Sequence, residues 1–575
     1  MPALTRRELL PAAAGAMLLA LVMHWPLPWY LGSHVERDLG DPIVQAWQVA
    51  WGGHALLSQP LDFFQANMFW PLPDSLAFSD ALAGYAPAGL VGRGVQAAIV
   101  RYNLLFLFAY ALAFFGAYLL ARELGLRPAA AAVAGAAFAY APWRLEQDGH
   151  LHVLSSGGIP LALFLLLRGY RGGRPGIVFA GWAVAAWQVS LGFTLGLQLG
   201  YLLLALGAIW AVAMWRRGAL VRSPRELSAR ARRMAAVTAA GGLIVLTTGL
   251  LLSLPYQRVL DAHPEGRRTA AQLSGLSGPV AQFAAAPEEN LVWGEATRSV
   301  RDNRLTSVPE QTLFPGLAIL SLAVAGLFGS QLSRRLRIGL GVAVLVLAVL
   351  SLGFHTTGAG RFYPYRLLYE IAPGWQGIRV PGRLNTLTSL GLALLAAAGS
   401  QWLAARIAAR VAPFGARGGG IAPTVLCAAA LALVCVEGSG FQPLPPGGGL
   451  LAGPSNPRAP LEPSGQRGVP DPQLHLPITV AANRRYVFWS TEGFPRIVNG
   501  RGSIDPQFFS SLTRDVRGFP DRRSVARLRE LGVRSVILHP YLAPGTAWAG
   551  AAARSPAGLG VKRTTRPGVV VFDLR

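Results

Sequence analysis

The chain has 575 residues, of which 52% are apolar and only 14% charged. Soluble proteins carry roughly 25% charged residues, so a string of soluble domains is excluded as the main architecture. A formal charge of +24 would point to nucleic acid in a soluble protein, but most of the excess lies in short loops between apolar runs, so a nucleic-acid partner is not supported.

Apolar runs of about bilayer-spanning length recur from Leu9 to about Val436, for example "GGLIVLTTGLLLSLP" and "GLGVAVLVLAVLSLGF". The start, "TRRELLPAAAGAMLLALVMHWPLPWYL", has the basic flank and apolar core of a signal peptide. The run is long and no small-x-small site follows it, so a retained first helix is expected. Next comes "HVERDLGDPIVQAWQVAW" (34–51), which crowds Glu36, Asp38 and Asp41 into a short stretch of a chain otherwise poor in acids. The segment "GYAPAGLVGRGVQAAIV" (84–100) carries Arg93 near its middle, an expensive place for a charge, and is expected not to span. "AAAAVAGAAFAYAPW" is short for a crossing. Cys427 and Cys435 share the last apolar run, roughly 12 Å apart on a helix, which puts a disulfide out of reach.

Counting Arg in short loops assigns the sides. Arg6 and Arg7, Arg122 and Arg127, Arg171 and Arg174, the seven-Arg loop "WRRGALVRSPRELSARARR", "RRLR" (334–337), and Arg406, Arg410 and Arg417 mark cytoplasmic ends. The alternation closes with roughly eleven crossings, an N-terminus in the cytoplasm and a C-terminal tail outside. The outer face then collects the loops 32–102, 144–154, 256–311 and 355–383 together with the tail, and with them nearly every clustered acid and histidine.

The expected division is a transmembrane domain over 1–437 (first external loop 32–102), a Pro/Gly-rich linker over 438–472, and a small α/β extracytoplasmic domain over 473–575. In that domain "RRYVFWST" and "VRSVILH" read as strands and "VKRTTRPGVVVFDL" as a hairpin. "DRRSVARLREL" reads as a helix with Asp521 at its N-cap and Gly532 as its stop.

Several outer-face groups carry possible chemistry. Asp38 and Asp41 are three apart, so both carboxylates project to one side if the chain turns there. One could serve as general base while its neighbour holds substrate or a hard cation; the plainer reading is that Asp41 caps the helix that follows, with Pro42 in its first turn. His150 and His152, with Asp148, could bind a metal or relay a proton, but a lone His-x-His is a weak metal signal and no metal ligand is assigned. Arg379 and Arg383 in "WQGIRVPGRLN" suit a phosphate, because a guanidinium offers forked donors and a permanent charge; lipid anchoring or an ion pair with Glu370 competes. Glu310 in "VPEQTLFPG" sits at another helix entry, where a cap or dipole contact would suffice.

Taken together, "ERDLGDP", "YAPWRLEQDGHLHVLSSGGIPLAL", "PEQTLFPG", "GIRVPGRLN" and "FPRIVNGRGS…FPDRRSVARLRELGVRSVILH" resemble a branch of bacterial polytopic membrane proteins similar to the GT-C glycosyltransferases. The resemblance implies an α-helical polytopic fold in the bacterial inner membrane. It also implies a polyprenyl-phosphate-linked sugar as donor, a glycan, lipid or protein as acceptor on the outer side, and transfer with inversion. Asp38 and Asp41 occupy the first-loop position of the family's catalytic acids, with Glu36 beside them, although the family's tight acidic dipeptide is missing. The resemblance allows a divalent cation, Mg or Mn. The candidates for binding substrate are Glu36, Arg144, His150, His152, Glu310, Glu370, Arg379 and Arg383, with Arg379 and Arg383 set against the departing phosphate and His150 and His152 to orient the donor. Two rivals stand beside the enzyme: a GT-C scaffold without catalysis, and a transporter or flippase of lipid-linked glycans, which should show charges or broken helices near the bilayer midplane.

Overall fold

The computed structural model describes residues 4–216, 228–355, 364–411, 421–440 and 456–574. Much of the seven-Arg loop, Arg417, residues 356–363 of the 355–383 loop and part of the expected linker (441–455) lie outside the described residues. Chain contacts divide the molecule into two units.

The first unit comprises 1–28, 106–249 and 268–455 and is helical. Its centre is the helix Asn385–Val411, against which Leu317–Phe328, Pro128–Ala139 and Arg334–Ser351 pack. Small residues permit the closest crossing: a Cβ on Gly326 would overlap Leu395 O, and one on Gly399 would overlap Leu322 O, so two backbones meet where only glycine fits. The carboxylate of buried Glu437 accepts from Leu317 N at 3.1 Å and Ala318 N at 2.8 Å, satisfying orphan donors at the start of that helix.

The chain ends marked by Arg as one face come together in this unit. Glu8 pairs with Arg122 (3.0 Å from Nη2 to Oε2), Glu123 with Arg168 (2.9 Å), and the Arg230 guanidinium donates to Gly172 O (2.7 Å). Both cysteines are free.

Among the described residues five helices are long and apolar enough to cross a membrane: Gly94–Glu123, Leu151–Gly172, Phe193–Arg216, Ala229–Ala262 and Pro381–Arg410. Four further apolar helices are shorter. Pro128–Ala139, at 12 residues, reaches only about 18 Å against a hydrocarbon core of about 30 Å. The eleven crossings therefore remain a reading of the sequence. Phe193–Arg216 and Ala229–Ala262 leave Leu204, Trp210, Trp215 and Leu246 uncovered, an apolar surface of the kind that lipid covers. The 84–100 segment forms no continuous helix: it divides between a 3₁₀ stretch, Ala83–Leu90, and the first turns of Gly94–Glu123.

The second unit comprises 29–105, 250–267 and 456–575, so the first-loop residues and the tail belong to one body. Backbone hydrogen bonds join them: Phe69 N and Trp70 N donate to Asn499 O and Ile497 O at 3.1 and 3.0 Å, and Ile497 N donates to Asn67 O at 2.7 Å. The tail sheet has the order β1 (Gln473–Leu476), β2 (Ser535–Leu538), β4 (Val569–Asp573), β3 (Lys562–Arg566). β1 runs parallel to β2, with His475 opposite Ile537; the other pairs are antiparallel.

The strand expected at "VRSVILH", the hairpin and the helix at "DRRSVARLREL" all form, the helix with a capping box at Asp521 and Ser524 and with Gly532 at φ 76°. "RRYVFWST" is a correction. It lies mostly in the helix Val480–Trp489, which Thr479 caps by accepting from Ala482 N at 3.1 Å. A cap plus Tyr486 and Trp489 spaced to share one face outweighs the β-propensity of its aromatics.

Tyr486 stacks on two buried histidines, His475 and His539, whose Nδ1 and Nε2 atoms lie 3.0 Å apart. Burial pushes His475 down to about 3 and, with the neighbouring imidazole, drives His539 well below its ordinary value. Neutral histidine is thus favoured in the folded state, and above the unfolded value near 6.5 neither form is protonated, so nothing is lost. As pH falls from about 6.5 toward 3 the unfolded chain takes up protons that the fold refuses. At pH 5 His475 alone is expected to cost about 2 kcal/mol. Chemical denaturation at pH 7.5 and 5 should show the tail's transition moving to lower denaturant, and His475→Gln should reduce that movement.

Candidate active site

The acidic loop is built on a backbone clamp within the second unit. Val35 N donates to Pro457 O at 3.2 Å, Ala459 N donates to Ser33 O at 2.8 Å, and His34 bridges antiparallel to Arg458. The Asn103 amide donates to Leu31 O and His34 O at 2.8 and 2.7 Å. The chain then turns through Arg37, a non-glycine residue at φ 68°, a conformation that persists only where the surroundings hold it.

The three acids are treated differently. Glu36 is only 2% exposed and accepts from the Asn456 amide at 2.9 Å, which makes it an anchor of the turn. Asp38 is exposed, and its Oδ1 accepts from Gly40 N at 2.6 Å. Asp41 opens the helix Asp41–Ser58, with its side chain 44% exposed and an oxygen 3.7 Å from Arg484 Nη2. Here the capping expectation is corrected: the N-cap is Gly40, without a side-chain cap bond, and Asp41 stands one residue inside. Gly40 leaves room beside it for both the Asp38 carboxylate and the Arg484 guanidinium. Asp38 and Asp41 are therefore the two accessible carboxylates of a turn pinned on both sides, one free to approach a hydroxyl and the other held near a cation.

The donor-side candidates lie in the first unit. Arg383 and His152 are both buried; Arg383 Nη1 donates to His152 Nε2 at 3.1 Å, and Nη2 pairs with Glu310 Oε1 at 3.3 Å. Glu310 is thus an ion-pair partner rather than a helix cap. Gln311, its neighbour, accepts from Thr306 N and Ser307 N instead. Arg144 is also buried, donating to Ser156 Oγ at 3.2 Å and Leu154 O at 3.0 Å, with its guanidinium 5.3 Å from the Tyr110 ring. The Tyr110 hydroxyl donates to Asp148. His150 is half-buried, its ring edge-on to His152 at 5.7 Å.

The proposed Arg379/Arg383 pair does not act as one feature. Arg379 is exposed, without an ion pair or hydrogen bond among the described residues, whereas Arg383 is buried with its charge balanced. Glu370 binds neither: it pairs with Arg366 one helical turn away, at 2.6 Å. Tyr110, Asn456 and Arg484 escaped sequence reasoning as site residues. Only Arg484 left a signal, in the doubled arginine of a segment read as a strand.

A divalent cation finds no ready cage. Among the described residues no group of three or more His, Cys, Asp or Glu side chains is placed to hold a metal ion, and the Glu36 and Asp38 carboxylates already accept from an amide and a backbone N–H. The donor set does not fit a closed metal site.

No family model matches the chain, and no curated protein matches it. Solved structures do. The mycobacterial arabinofuranosyltransferase AftD aligns with all of this chain (100%) at TM-score 0.52 and 16% identity. The chain shares the GT-C glycosyltransferase fold. It spans 42% of AftD's length. The Archaeoglobus fulgidus oligosaccharyltransferase aligns with 95% of this chain and 71% of its own at TM-score 0.49 and 14% identity. ArnT from Cupriavidus metallidurans, solved bound to undecaprenyl phosphate, aligns with 100% of this chain and 99% of its own at TM-score 0.39 and 15% identity.

Proposed function

We propose that the protein is a polytopic membrane glycosyltransferase of the bacterial inner membrane, moving a sugar from a polyprenyl-phosphate donor to an extracytoplasmic acceptor with inversion. The observation that carries the reading is the pinned first-loop turn that leaves Asp38 and Asp41 accessible while Glu36 is used up inside it.

In the reaction, Asp38 or Asp41 takes the proton of the acceptor hydroxyl as its oxygen bonds to the anomeric carbon. The bond from that carbon to the phosphate oxygen breaks, and polyprenyl phosphate leaves with the electron pair. Arg484 sets a cation 3.7 Å from the Asp41 carboxylate. Within the first unit Arg379, exposed and with no ion-pair partner among the described residues, offers a fixed cation of the kind that suits a phosphate. Arg144, His152, Glu310 and Arg383 are buried or nearly so and bonded within the first unit. Incubating the purified full-length protein in detergent with polyprenyl-phosphate sugars, with and without a divalent cation, and following donor loss tests the reading.

A further inference from the structure

Beside the acidic turn, and inside the same unit, lies a cleft of about 380 Å³, within the roughly 300–1,000 Å³ range of small-ligand sites. Leu39, the residue between Asp38 and Gly40, forms one edge; Arg458, Leu461, Arg485, Trp489 and Tyr541 form the rest. The two arginines come from different elements, Arg458 from the segment that clamps His34 and Arg485 from the helix Val480–Trp489. Neither has an ion-pair partner among the described residues. Glu462 also borders the cleft, but its carboxylate accepts from Gln466 Nε2 at 3.0 Å and pairs with Arg467 at 2.9 Å, so it leaves the cleft's positive charge standing.

The other walls suit a sugar ring. Tyr541 is exposed and Leu461 more so, offering uncovered apolar surface at the mouth. Trp489 is buried behind the cleft, its Nε1 donating to Pro460 O at 2.9 Å, so Tyr541 is the aromatic with an open face. Amphipathic aromatics with a few placed polar groups give ring-shaped polar ligands both a flat face and a fixed orientation.

We infer that this cleft is the acceptor subsite, and that the acceptor it takes is a glycan chain bearing anionic groups, carboxylate or phosphate. The inference rests on the reading of Asp38 and Asp41 as the carboxylates that receive the acceptor's proton. It adds that the chain placing its hydroxyl there is recognised by charge. Two guanidiniums that line one cleft, neither with an ion-pair partner among the described residues, repel each other, and an anion bound in the cleft relieves that repulsion. Leu39, next to Asp38 in the acidic turn, lines the same cleft, so a chain seated there lies beside that turn.

The test is a binding measurement on the full-length protein in detergent without any donor, by calorimetry or saturation-transfer NMR. Its probes are trigalacturonate, its neutral methyl ester, maltotriose and a phosphorylated maltotriose. One or both anionic trisaccharides should bind at least tenfold more tightly than their neutral counterparts, and binding should weaken with salt. Which of the two binds identifies the anion. The double variant Arg458→Gln/Arg485→Gln should lose that preference, while an unchanged thermal transition shows that it folds. Equal binding of charged and neutral probes, no binding of either anion at millimolar concentration, or an unaltered preference in the folded double variant would overturn the inference. Because no transfer is read, the binding result does not depend on whether Asp38 or Asp41 acts as the base. Absent transfer with intact binding counts against the catalytic reading alone, and intact transfer with no binding counts against the subsite alone.

Discussion

Asp38→Asn or Asp41→Asn is expected to lower sugar transfer by roughly a hundredfold or more, the share a positioned general base contributes, with normal accumulation in the membrane. The substitution separates chemistry from structure because of how each side chain is held. The amide introduced by Asp38→Asn would still offer an oxygen to Gly40 N, the one bond the Asp38 carboxylate is seen to make to the turn. Asp41 makes no capping bond, and its contact with Arg484 is long and partly exposed, worth little to stability. The variant that loses transfer identifies the base. Should both retain full transfer, neither is the base, and the accessible pair loses its assigned role.

The second large effect is on stability. Glu310 and Arg383 have side-chain exposures of 11% and 10% and lie 3.3 Å apart, with His152 the other partner of the guanidinium. Glu310→Leu leaves a buried cation without its carboxylate and is expected to cost about 3–5 kcal/mol, whereas replacing both partners by apolar residues, Glu310→Leu with Arg383→Met, is expected to cost far less. Yield and thermal inactivation of the two proteins in detergent give the comparison. If the double variant is as damaged as the single, Arg383 is needed for more than balancing Glu310.

The elements that were legible in the sequence are those whose signals are local. The helix at Asp41–Ser58 follows its Asp-Pro start, the hairpin at 562–573 its turn residues, and the helix at Arg522–Glu530 its Asp521 cap and Gly532 stop. β1, "QLHL", is too short to show a period, and "RRYVFWST" has aromatics that suit a strand until the Thr479 cap is counted. The clamp at 33–35 with 457–459, the Asn456 bond to Glu36 and the ion pair of Glu310 with Arg383 join residues far apart in the chain, and no local pattern announces them. For the same reason the three first-loop acids look alike in sequence. Only burial and partners divide them into one anchor and two accessible carboxylates.

The central claim is that this chain transfers a sugar from a lipid phosphate, and the most direct measurement is product analysis with the native protein. Purified protein would be incubated with a panel of polyprenyl-phosphate sugars and with the anionic trisaccharides as acceptors. Free polyprenyl phosphate, extended glycan and the configuration of the new linkage would then be measured together. The account predicts that, for one donor, polyprenyl phosphate and extended glycan appear one for one, with the anomeric centre inverted and the signal lost in whichever Asn variant removes the base. Retention of configuration, or no donor loss across the panel with folded protein, would contradict it.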